Sequence, residues 1–192
     1  MLVIPFTKKG NLKQYQNYRI ISLTSHPSEI ILRVMLNRLK AKAKELLAEE
    51  QAGFRPGRNA VEEIFNSRVI IEKHIQHQRD LFHNFTDFKK AFDRVWHAGL
   101  WQVLRSFNTD ERLVQAFQAL YENSSNAVLL NSQLGKFFET TVDVHQGCLL
   151  SPTLFNLCRE RVMQETVHDH HTSISIGGRL ICDLRFADDI DR

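Results

Sequence analysis

Three aspartates stand where an apolar run stops. Asp87 closes Phe85-Thr-Asp87, and Asp188 and Asp189 close Phe186-Ala-Asp-Asp189. Aspartate is disfavoured in strands, so each carboxylate needs a reason to follow a strand-like stretch. Neighbouring carboxylates repel one another unless a cation or a turn compensates. A tight turn is one such reason, because Asp is common in turns. The chemical reading brings Asp87 against the Asp188-Asp189 pair. Convergent carboxylates suit hard divalent cations, above all Mg2+, which takes oxygen ligands and keeps room for substrate phosphates. Two such ions ~3.5–4 Å apart can activate an attacking hydroxyl and stabilise a leaving pyrophosphate. By themselves these acids point only to metal-dependent phosphoryl transfer. The cluster His168-Asp-His-His171 is a weaker metal candidate: it follows a helical stretch, has no second ligand cluster, and reads as a solvated helix end.

The elements that must position the aspartates are legible in outline. A helix is predicted over about 31–47, with Ser28 as its N-cap after Pro27 and apolar residues at helical spacing. Residues 53–58 read as a loop from their Gly and Pro content. Asn59 with Glu62 resembles a capping box that opens a second helix to about Gln78. A strand is expected over 81–87, then a helix over 96–107 and another after Thr109, its predicted N-cap. Strand-like stretches over 127–131 and 136–144 flank Ser-Gln-Leu-Gly and suggest a hairpin. Ser151-Pro152 starts a further helix, with Pro in the tolerated first turn. A second hairpin is expected over 173–186 around Gly177-Gly178. Helices mixed with hairpins indicate an α+β class rather than alternating βαβ units.

Composition narrows the class. The 192 residues are 43% apolar and 24% charged, which excludes a disordered chain. No run approaches the ~20 apolar residues of a membrane span. Cys148, Cys158 and Cys182 are odd in number and lack CxxC spacing, arguing against a disulfide framework or structural zinc and for a reducing, intracellular setting. The net charge of +3 is an average. Up to Lys44 the basic residues face a single acid, Glu29, a one-signed field that attracts phosphates or, more blandly, a solvated helix face.

The words around the aspartates, read in order, are distinctive. They are Asn17-Tyr-Arg19-Ile-Ile-Ser-Leu23, Gln51-Ala-Gly-Phe-Arg-Pro-Gly-Arg58, Phe85-Thr-Asp-Phe-Lys-Lys-Ala-Phe-Asp-Arg-Val95, Gln146-Gly-Cys-Leu-Leu-Ser-Pro-Thr-Leu-Phe-Asn156 and Phe186-Ala-Asp-Asp189. This series closely resembles the reverse transcriptase domain of non-LTR (LINE-type) retrotransposons. The resemblance implies a right-hand polymerase with fingers over 1–80 and palm over 81–192, the thumb being missing from these residues. It implies an RNA-directed DNA polymerase that takes RNA template, DNA primer and dNTP, with two Mg2+ ions and no membrane.

Carried over position by position, Asp87, Asp188 and Asp189 match the catalytic aspartates, and the Phe88 carbonyl is a further metal ligand. Phe92 matches the steric gate, where an aromatic edge under the sugar excludes a 2′-hydroxyl. Gln146 and Gly147 match the motif that lies against the incoming nucleotide: Gln146 can donate and accept, and Gly147 permits close backbone approach. Arg19 matches the fingers arginine on the triphosphate, with Lys8 or Lys9 as its lysine partner. Arg55, Arg58, Ser151 and Pro152 fall in motifs expected to contact nucleic acid. Asp93 reads as structural, a cap for the next helix.

The chain departs from the family pattern in places. Ile20 replaces the usual Pro, His145 the usual Arg before Gln-Gly, and Thr86 a larger aliphatic; Cys158-Arg159 puts a charge where apolar residues are common. None of these removes a metal ligand. Only Ile190-Asp191-Arg192 follows the aspartate pair, so the expectation is that the hairpin presenting it lacks its second strand. Little processive synthesis is then expected, and restoring ~100 downstream residues would recover it. The alternative reading is a catalytically dead remnant that binds nucleic acid through its basic fingers.

Overall fold

The computed structural model describes residues 1–166, 174–176, 179–181 and 183–191, with backbone alone for 174–176 and 179–181. The His168–His171 cluster, Gly177-Gly178 and Cys182 lie outside the described residues. The chain folds as two compact units interleaved in sequence. The first is Met1–Glu45 with Phe92–Cys158, and the second is Leu46–Ala91 with Arg159–Arg192.

The first unit holds a four-stranded sheet. β1 (Leu2–Thr7) and β2 (Tyr18–Leu23) pair antiparallel with Phe6 opposite Arg19, and β1 also pairs in parallel with β4 (Ala127–Leu130), which pairs with β5 (Gln133–Leu134). Asn131 and Ser132 join β4 to β5, both at positive φ, the backbone shape that a two-residue hairpin needs. That turn ends the hairpin early. The stretch predicted as a strand over 136–144 is instead irregular, held by single bridges of Phe138 to Asn126 and of Val142 to Trp96.

Five helices complete the described chain: α1 (His26–Leu46), α2 (Ala60–Gln76), α3 (His97–Ser106), α4 (Glu111–Glu122) and α5 (Ser151–Thr166). α1 starts earlier than predicted, because the Ser25 carbonyl accepts from Glu29 N and its hydroxyl faces Ser28 N; Ser28 is therefore in the first turn and is not the cap. Asn59 caps α2 as expected, accepting from Glu62 N at 3.0 Å. Asp110, not Thr109, caps α4, because its carboxylate accepts from Arg112 N at 2.8 Å. In the core of the first unit, Leu100 and Leu104 of α3, Val114 and Phe117 of α4, and Leu150 and Leu154 are fully buried.

The second unit holds a three-stranded sheet ordered β3 (Phe85–Asp87), β9 (Asp189–Asp191), β8 (Leu184–Phe186), and a hairpin of β6 (Ile174–Ile176) with β7 (Arg179–Ile181). Of the strand predicted over 81–87, only the last three residues pair. The expectation of a missing second hairpin strand is overturned: β9 exists and lies in the centre of its sheet, bonded to β8 on one side and β3 on the other. Three residues suffice because both edges of β9 are satisfied. Among the described residues, no helix is long and apolar enough to cross a membrane.

Phe117 has no exposed surface, so Phe117→Ala should cost ~3–5 kcal/mol through lost burial and cavity formation. Trp96 and Trp101, the only tryptophans, both lie in the first unit. Urea unfolding followed by their fluorescence should report this loss.

Candidate active site

The carboxylates expected to act together are in the second unit. Antiparallel pairing sets Asp87 directly opposite Asp189 across β3 and β9, while Asp188 sits in the two-residue turn that joins β8 to β9. Directly opposed residues in such a ladder share a face with Cβ atoms ~4.5–5.5 Å apart, and like charges there repel. The Asp189 carboxyl is raised above its ordinary value, first by partial burial, then by Asp188 and Asp87, with Arg159 opposing.

This donor set, hard oxygens and excess negative charge, fits a divalent cation. Among the described residues, the side chains do not converge in a ready-made cluster of three ligands. Phe88 follows directly in sequence and is exposed. Beside the aspartates lies a cavity of about 580 Å³, lined by Glu63, Ile64 and Ile71 of α2 and by Phe85, Asp87, Phe186 and Asp189. Burial pushes Glu63 up to about 7, against the opposing pull of Arg58.

Arg55 and Arg58, on the loop before α2, spend donors inside the unit. Arg55 Nη1 donates to the carbonyls of Ala48 and Gln51, and Arg58 pairs with Glu49 and Glu62. His83, unremarked in the sequence, stacks on Phe85 and places Nδ1 2.9 Å from an Asp191 carboxylate oxygen.

The first unit holds all six predicted nucleotide residues. Arg19 is exposed on β2, and Lys8 and Lys9 are exposed just beyond β1, where Lys8 N donates to Asn17 O. Gln146 and Gly147 dock on the same hairpin: Ser22 N donates to Gln146 O at 2.7 Å. Gly147 has φ +98°, and a Cβ there would sit 2.9 Å from Ser22 O, so both backbone shape and space demand glycine.

Gln146 Nε2 donates to Asp93 Oδ1 at 3.1 Å. Asp93 is therefore not the predicted helix cap; the α3 N-cap position is Trp96, which makes no side-chain cap bond. Phe92 stacks on Phe155, ring centroids 4.6 Å apart. Ser151 is buried and donates to His145 O, and Pro152 occupies the first turn of α5. His145 lies against the Tyr121 ring in an aromatic cluster, where burial and His97 lower its pKa to about 4, keeping it neutral.

Asp143, missed in the sequence, stands at φ +107° with Oδ1 buried and unpartnered. Burial and the nearby Asp93 raise it to about 7. No periodicity marks such a residue; its carboxylate is unusual only because the fold encloses it.

The sequence model of the family "Reverse transcriptase (RNA-dependent DNA polymerase)" matches residues 7–190, and the chain belongs to that family. Within the family it is a LINE-type domain, as its relatives among mobile elements show. It is 30% identical over 155 residues to the transposon TX1 uncharacterized 149 kDa protein of Xenopus laevis, covering 80% of this chain and 12% of that protein. It is 25% identical to the retrovirus-related Pol polyprotein from type-2 retrotransposable element R2DM of Drosophila melanogaster, covering 95% of this chain and 17% of that protein.

Solved structures share the fold. The apo telomerase of Candida tropicalis truncated from its C-terminal domain superposes with TM-score 0.60 at 12% identity, over 91% of this chain and 41% of that one. The telomerase of Candida albicans with a fragment of telomeric RNA gives TM-score 0.58 at 13% identity, over 99% and 36%.

The raised Asp143 sets a pH expectation. A carboxyl whose folded pKa lies above its unfolded value stabilises the fold at low pH, and that contribution is lost as pH rises from about 4 through about 7. Asp143→Asn should therefore gain ~1–3 kcal/mol over the parent at pH 8 and much less at pH 4. Urea unfolding of the two chains at both pH values checks this, and comparing variant with parent cancels Glu63. Gly147→Ala should cost ~1–3 kcal/mol by strain at its positive φ, measurable in the same unfolding experiment.

Proposed function

We propose that the chain comprises the fingers (1–80) and palm (81–192) of an RNA-directed DNA polymerase that joins a dNTP to a primer 3′-hydroxyl on an RNA template. The observation that carries this reading is the opposed register of Asp87 and Asp189, with Asp188 in the adjoining turn. Electrostatic repulsion built into a sheet is retained where a cation relieves it.

In this reading, Asp87, Asp188, Asp189 and the Phe88 carbonyl hold two Mg2+ ions. When bound, Mg2+ supplies activation of the attacking hydroxyl and neutralisation of charge on the leaving pyrophosphate. Arg19 with Lys8 or Lys9 binds the triphosphate, its guanidinium offering paired donors to phosphate oxygens. Phe92 lies under the sugar and excludes a 2′-hydroxyl. Asp93 fixes the Gln146 amide, so Gln146 and Gly147 present a set surface to the nucleotide. Arg55, Arg58, Ser151 and Pro152 belong to the nucleic-acid-facing motifs; of these, Ser151 acts through the backbone that it anchors.

The test is incorporation of dTTP on poly(rA)/oligo(dT) with Mg2+. Extension by one or a few nucleotides is expected, lost at least ~100-fold in Asp188→Ala, a factor typical of removing transition-state charge stabilisation. Template binding with a steep salt slope but no incorporation at any protein concentration would mean a nucleic-acid-binding remnant instead.

A further inference from the structure

Arg159 occupies a position on α5 where the family pattern is apolar, yet it is buried and only 6% exposed. Its guanidinium donates to the side-chain oxygen of Gln51, which is 1% exposed, and its Nη1 is enclosed with no hydrogen-bond partner. The neighbouring cation, Arg185, is bonded to two carboxylates: Glu160 at 3.1 Å and Asp183. Arg159 thus bonds its charge to a neutral amide, with burial and Arg185 working against the charge and Asp183 and Glu160 favouring it.

Gln51 links Arg159 to the aspartate turn. Gln51 Nε2 donates to Gly53 O at 3.0 Å. The surrounding backbone runs along β8: Arg185 N donates to Glu50 O at 3.0 Å, and Ala52 N to Arg185 O at 2.9 Å. Gly53 then abuts the turn itself. A Cβ on Gly53 would overlap the backbone nitrogen of Ala187 and come within 2.7 Å of its Cα. Ala187 is at φ +55°, a conformation that L-residues rarely hold without external support. It directly precedes Asp188 and Asp189.

We propose that Arg159 is a positioning residue for the aspartate turn. Through Gln51 it fixes the 50–53 segment that clamps Ala187 and so sets the backbone from which Asp188 and Asp189 project. The inference deepens the polymerase reading and rests on it for the role of those aspartates; the mechanical part stands without it.

The experiment is amide hydrogen exchange by mass spectrometry on the full chain, reading the peptide that spans β8, the turn and β9. Arg159→Met and Gln51→Met should each speed exchange there at least tenfold and leave α4 unchanged. The double variant should exchange no faster than the faster single variant, because both act along one path. Arg159→Lys, which keeps a donor and the charge, should restore protection to within threefold. Exchange within twofold of the parent in both Met variants, or multiplied effects in the double variant, overturns the inference. If Arg159→Met fails to fold, Gln51→Met and Arg159→Lys decide it on the same limits.

A second arm titrates Mn2+ into the parent and Gln51→Met by electron paramagnetic resonance. At least fivefold weaker binding in the variant is expected, and equal binding overturns the link to the aspartates. A parent that binds no Mn2+ removes the polymerase reading, while the exchange data still decide the clamp.

Discussion

The second unit is organised around an unfavourable contact. Pairing β3 with β9 sets two carboxylates opposite each other, and a third follows in the adjoining turn. Left alone, such a ladder would slip or open, since each opposed like-charge pair weakens a strand pair already only three residues long. The surrounding structure resists this. Ile190, on the alternate face of β9, is buried and pairs with Thr86 and Arg185 across the two ladders. Arg185 in turn is tied to Glu160 and Asp183. The buried ionic network is expensive by itself, but it anchors the central strand while Asp87 and Asp189 stay exposed.

The first unit solves a separate problem, presenting a flexible amide and a bare backbone in a fixed place. The β1–β2 hairpin supplies the platform, and Ser22 N holds Gln146 O against it. The Asp93 carboxylate then fixes the Gln146 side chain. Glycine at 147 is a requirement of φ and of space, not a relaxation of sequence. Asp143 and His145 flank this loop in burial, and each is held toward its neutral form.

The departures from the family pattern are accommodated by their surroundings. His145 replaces an arginine inside a cluster with Tyr121, Trp101 and His97, where a neutral imidazole packs well. Ile20 stands opposite Pro5 near the exposed face of β2, where a side chain has room. Thr86 faces away from the carboxylates because alternation along β3 sends it to the other side of the sheet from Asp87. Arg159 differs in that it buries a permanent charge, which it bonds to Gln51.

Residue types and their order determined a great deal. The aspartates, the glycine of Gln146-Gly147, the Asn59 cap and the helix opening at Ser151-Pro152 are legible because each depends on local chemistry: charge, φ, or an end-of-helix donor. Contacts across the fold decided the rest. A sequence pattern could not show that three residues after Asp188 make a central strand, because their stability comes from partners on both sides. Nor could it choose Asp110 over Thr109 as a cap, since one residue of chain direction separates them. The role of Asp93 depends on Gln146, 53 positions away, and that of Arg159 on Gln51, 108 positions away. Local propensity identifies the groups able to do chemistry. Their pairing is set by burial and register, which only the folded chain provides.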